Sequence, residues 1–191
     1  MKTCLCAALS LALCAPAWAG EFGVLVSGQR FGEFDAFGVG VGLRGGYRFD
    51  RGFALEAELE HFPGALGGRV PFSASRTAAR LRARAGVVRE RWGAFAALAP
   101  GVLRFAPAPE PIACLAVFPP PLECQLAAGR TVPALGLGVG VELFASERVV
   151  VRLDVEDQLL RYPVSFRRES RVEHHLRAAF SLGLRFRGHR Q

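Results

Sequence analysis

The sequence predicts an all-β chain in which eight antiparallel strands follow one another up and down and close into a barrel. Three observations predict this. Apolar and polar residues alternate with period two through most of the 191 residues. The breaks between alternating segments are by turns very short and long. No apolar run beyond residue 20 is long enough for a helix to cross a membrane. With 51% of the chain hydrophobic, a disordered polymer is also excluded.

The chain opens on a segment outside the barrel. Lys2 gives a cationic start, residues 4–15 are apolar, and Ala17-Trp18-Ala19 offers small residues where a signal peptidase reads. Residues 1–19 are therefore read as an export signal and residues 20–191 as one barrel domain. Leu13 is too bulky for the position before a lipidated cysteine, which sets aside a lipoprotein signal at Cys14. Of the five cysteines, Cys4, Cys6 and Cys14 leave with the signal. Cys114 and Cys124 remain, and an oxidising compartment favours a disulfide between them.

The strands then follow in order. Residues 22–29 form a weak first segment. Residues 37–49 place Phe37, Val39, Val41, Leu43 and Tyr47 against Gly38, Gly40, Gly42, Arg44 and Arg48. Residues 53–62 set Phe53, Leu55, Ala57 and Leu59 against Glu56, Glu58 and Glu60, and residues 77–88 set Ala79, Leu81, Ala83 and Val87 against Arg80, Arg82 and Arg84. Residues 92–105 are broken by Pro100-Gly101 and give the least definite facing. Residues 133–144 oppose Leu135, Leu137, Val139 and Val141 to Gly136, Gly138, Gly140 and Glu142. Residues 148–158 oppose Val149, Val151, Leu153 and Val155 to Arg152, Asp154 and Glu156, and residues 175–186 oppose Leu176, Phe180, Leu182 and Leu184 to Arg177, Ser181 and Arg185. Short turns fall near Asp50-Arg51-Gly52, Glu90-Arg91 and Ser146-Glu147; the connections at 30–36, 63–76, 106–131 and 163–171 are read as long.

Period two does not say which face is inside. A soluble barrel turns its apolar face inward, a transmembrane barrel outward. Turning the strand at 77–88 the other way within a membrane would aim Arg80, Arg82 and Arg84 at lipid, at roughly 2–4 kcal/mol each near the midplane. The glycine rows suit a crowded interior. Aromatic residues near segment ends (Phe37, Tyr47, Phe49, Phe53, Phe62, Phe105, Phe144, Phe186) suit an interfacial girdle. The apolar face is therefore expected outside. Glu56, Glu58, Glu60, Arg80, Arg82, Arg84, Glu142, Arg152, Asp154, Glu156, Arg177 and Arg185 are then expected inside, as an ion-paired plug or as the lining of a water path.

In this combination of export signal, eight amphipathic strands, alternating turns and loops and a glycine-and-ion-pair interior, residues 20–188 resemble the small bacterial outer-membrane barrels of the OmpX type and the OmpA membrane domain. The resemblance implies short periplasmic turns, long extracellular loops, insertion by the barrel assembly machinery, and contact with outer-membrane lipid and lipopolysaccharide. It departs at the end, where members finish on the last strand's aromatic but Phe186 is followed by Arg187-Gly188-His189-Arg190-Gln191. Arg167, Arg168 and Arg171 in the last long connection are candidate contacts to lipopolysaccharide phosphates. The Pro-rich connection at 106–131 is a candidate protein-binding loop.

No residue pattern calls for a cofactor, a metal or catalysis. Gly40-Val41-Gly42-Leu43-Arg44-Gly45 matches a dinucleotide fingerprint in spelling, but such a motif must turn into a helix. His174 and His175 are adjacent, so on a strand they face opposite sides and cannot share a metal. The His-x-Ser pair of one lipid A deacylase group is absent at His61 and at His174; His61 with Ser73 or Ser75 is the remaining nucleophile candidate. Arginines that alternate along strands form no nucleic-acid patch. The expected function is a non-enzymatic outer-membrane barrel in structure or surface display. The alternatives are a soluble exported lipocalin-like barrel carrying an apolar ligand and a lipid A-modifying barrel enzyme.

Overall fold

The computed structural model describes residues 20–31, 36–50, 52–64, 75–107, 129–163 and 170–186. They form eight strands: β1 (Gly20–Phe31), β2 (Ala36–Arg48), β3 (Phe53–Phe62), β4 (Arg76–Val88), β5 (Trp92–Phe105), β6 (Arg130–Phe144), β7 (Val149–Pro163) and β8 (Ser170–Phe186). Each pairs antiparallel with the next, and β1 pairs with β8, so the sheet is a closed barrel. There is no helix among the described residues.

Strands run further than the alternation alone indicates. β1 and β2 continue to Phe31 and Ala36, and β7 and β8 to Pro163 and Ser170, so residues counted to the first and last connections belong to strands. Barrel closure explains this, because each added residue finds a partner on a neighbouring strand. The tight turns cluster at one end. There the Asp50 carboxylate accepts from the backbone N–H groups of Gly52 and Phe53 at 2.6 and 2.7 Å, and the Ser146 hydroxyl accepts from Arg148 and Val149 at 3.2 and 3.1 Å. These local bonds satisfy turn donors that no ladder reaches.

Polarity is inverted relative to a soluble barrel. Val24, Val41, Leu59, Leu81, Leu137, Val139, Leu153, Leu176 and Phe180 are about half exposed on the outside. Glu58, Arg82, Asp154 and Arg177 are buried inside. β5 settles its facing with Gly93, Phe95, Ala97, Ala99, Leu103 and Phe105 inward. Pro100 points outward, where its missing N–H removes a ladder bond; pairing of β4 with β5 skips Leu81 opposite Pro100 and Arg82 opposite Ala99.

Phe49, Phe53, Trp92 and Phe186 stand outward at the turn end, as an interfacial girdle requires. Phe62, Phe105 and Phe144 do not join it. Phe62 shares the facing of Glu56, Glu58 and Glu60, Phe144 that of Glu142, and Phe105 that of Leu103, so all three turn into the barrel.

Candidate functional site

Among the described residues charge gathers most densely in the interior, which is built in three tiers. At the turn end Glu142 receives Arg48 at 2.8 Å, Arg84 at 2.6 Å and Arg152 at 3.2 Å. Glu56 receives Arg84 at 2.8 Å and Arg152 at 3.1 Å, and Arg152 also pairs with Glu21. Arg185 meets no carboxylate within ion-pair distance among the described residues; its guanidinium lies 4.8 Å from the centre of the Phe144 ring.

The middle tier is denser. Glu58 faces four arginines: Arg44, Arg80 at 3.2 Å, Arg82 at 3.1 Å and Arg177 at 3.6 Å. Asp154 lies across the lumen, 3.1 Å from Arg44, 2.8 Å from Arg82 and 3.4 Å from Arg177. Glu60 binds Arg80, the Ser27 hydroxyl and Arg177, the last at 3.2 Å. Glu156 takes Arg80 at 3.2 Å and the Gln158 amide at 2.8 Å, and Gln29 donates to Gln158 at 3.0 Å. Charges this deep persist only when each meets opposite charge and hydrogen bonds.

Small residues on β5 and β6 make room for these long side chains. A methyl group at Gly136 would sit 2.5 Å from the Glu156 carboxyl carbon, and one at Gly101 would sit 2.6 Å from Arg80 Cγ. The glycine rows are therefore the counterpart of the arginine and glutamate rows.

The loop-end tier is apolar and aromatic. Phe31, Ala78, Leu103, Phe105, Val132, Leu160 and Tyr162 form one buried cluster. Phe62 and His175 meet Phe31 edge-on, with ring centres 6.2 and 5.2 Å away.

All twelve residues expected inside lie on the inward face. The sequence reading omitted Arg44, although it lies on the polar face of its strand, and also Glu21, Arg48, Arg76, Ser27, Gln29 and Gln158. For Arg44 the signal was present in the parity; for Ser27 and Gln29 it was blurred by Leu25, an apolar residue on the same inward face.

The remaining candidates fall elsewhere. Cys114, Cys124, Arg167 and Arg168 lie outside the described residues, and of Arg171 only the backbone, opposite Tyr162, is described. Ser73 also lies outside them; His61 stands on the outer surface with its Nδ1 3.1 Å from the Thr77 hydroxyl. His174 points outward to Asp157 at 2.8 Å while His175 is buried within. Residues 40–45 continue as strand β2 with no helix after them.

A charged interior inside an apolar wall defines a transmembrane β-barrel. No family model matches the chain, and no curated protein matches it. Solved structures do resemble it. Neisserial surface protein A shares 10% identity, with 90% of this chain and 97% of that one covered and a TM-score of 0.59. The N-terminal β-barrel domain of Pseudomonas aeruginosa OprF shares 12% identity, with 87% and 97% covered and a TM-score of 0.50. The fold is that of the small eight-stranded outer-membrane barrels.

Proposed function

We propose that this chain is an exported, integral protein of a bacterial outer membrane, without enzymatic activity, which maintains the envelope or displays its loops at the surface. The carrying observation is the inverted polarity, with ion pairs filling the interior and aliphatic side chains covering the outside. A carrier of apolar ligands needs the reverse. The export signal is cut behind Ala19, where Ala17-Trp18-Ala19 offers small residues to a signal peptidase. The turn end then faces the periplasm and the loop end the exterior. The three tiers close the lumen as a plug, since an eight-stranded barrel is just wide enough for side chains to fill. Insertion falls to the barrel assembly machinery, with Phe186 facing outward on the last strand.

The test is gel mobility of the detergent-folded protein with and without boiling, together with a carbonate wash of membranes. A heat-dependent shift and retention in the membrane are expected. Release by carbonate, with no shift, would overturn the reading.

Lipopolysaccharide is the proposed lipid partner. Arg30, Arg161 and His174 are exposed on the outward faces of β1, β7 and β8, three adjacent strands, near their loop ends. Arg104 is placed similarly on β5. Guanidinium groups at that level meet lipid phosphates bidentately. The double variant Arg30→Gln with Arg161→Gln is expected to retain less lipopolysaccharide on purification while still showing the boiling shift. Equal retention would remove this pair from the contact.

A further inference from the structure

We propose that the loop end of the lumen is a binding site for one oxyanion, a carboxylate or phosphate group, held by Arg76. Arg76 opens β4 and is 1% exposed. Its neighbours in the lumen, Arg44, Arg80, Arg82, Arg84, Arg152 and Arg177, each reach at least one carboxylate. Arg76 reaches none among the described residues, and none of its three nitrogens has a hydrogen-bond partner. Its guanidinium carbon lies 3.7 Å from the centre of the Phe31 ring and 5.9 Å from that of Phe62.

This stacking satisfies only part of the group. A ring face attracts the flat side of a guanidinium, whereas the five N–H donors radiate from its edge. A buried edge without an acceptor is costly, and the partner that fits it is a planar or tetrahedral oxyanion accepting two parallel bonds. Gly38 lets the guanidinium lie close against β2: a side-chain carbon there would come within 3.1 Å of both Nη2 of Arg76 and the Phe31 ring. The Phe31 ring beneath it belongs to a buried cluster with Ala78, Leu103, Phe105, Val132, Leu160 and Tyr162, a mostly apolar setting that strengthens an ion pair formed beside it. The proposal is independent of the display role, since a surface barrel needs no ligand.

The experiment uses the folded barrel in a neutral detergent, with acetate or inorganic phosphate replacing chloride at constant ionic strength. Thermal unfolding should rise by about 5 °C and saturate with one of the two probes. Which probe saturates first separates a carboxylic acid from a phosphate group as the natural partner. The rise should vanish in Arg76→Met and persist in Arg89→Met, whose cation is exposed at the turn end. No rise, or a rise that never saturates and is equal in Arg76→Met, would overturn the site. Should Arg76→Met fail to fold, Arg76→Lys keeps the charge without the fork, and its half-saturating probe concentration should increase about tenfold. An unchanged half-saturation would overturn the proposal equally.

Discussion

Replacing Glu58 by alanine is expected to destabilise the barrel by about 3–5 kcal/mol, the usual consequence of removing one partner from a buried ion pair. Glu58 is 3% exposed and faces Arg44, Arg80, Arg82 and Arg177. Its loss leaves those four guanidinium groups with Asp154, Glu60 and Glu156 as their remaining carboxylates in the middle tier. The excess positive charge then sits on side chains that are at most 4% exposed. Glu58→Gln retains the shape and accepts hydrogen bonds but not charge, so it should fall between alanine and the parent. Urea unfolding of the three proteins in one bilayer system measures the order. Equal midpoints for parent and alanine variant would show that water reaches the tier and that the lumen is not packed shut.

Val139→Arg tests the opposite face. Val139 is 64% exposed and lies outward on β6 between Gly138 and Gly140, well away from both rims. An arginine on the lipid side of a barrel costs about 2–4 kcal/mol near the bilayer midplane. The variant is expected to lose that much in unfolding measurements in bilayers. A soluble barrel with the same substitution would gain a solvated charge and lose nothing. Undiminished stability of Val139→Arg would therefore place this face in water.

Much of this architecture was legible because a strand reports its two faces separately. Glu56, Glu58 and Glu60 against Leu55, Ala57 and Leu59 fix both the strand and its facing once three arginines on the neighbouring segment forbid the reverse. Inward aromatic residues at either end of the barrel are not legible from position along a strand. Position along the strand assigns Phe62, Phe105 and Phe144 to a girdle, whereas facing governs. Phe62 and Phe144 keep step with the carboxylates beside them. Phe105 could be placed only once β5 had a facing, and its inward row of alanine, glycine and phenylalanine carries no polar mark. Cross-lumen partners such as Asp154 opposite Arg82 were out of reach, because period two orders neighbours along a strand and says nothing about what lies across the lumen.

The closing seam carries a kinetic consequence. Every neighbouring pair in the ring is a hairpin between consecutive strands except one, β1 with β8, where Gly20 meets Phe186. Hairpins form from nearby residues in microseconds, whereas the seam must bring together the two ends of the domain. Until it does, both outer strands present unpaired backbone, which is a template for other chains. The ring therefore cannot finish before its last strand arrives, and the half-built sheet needs a host that occupies its two open edges in the meantime.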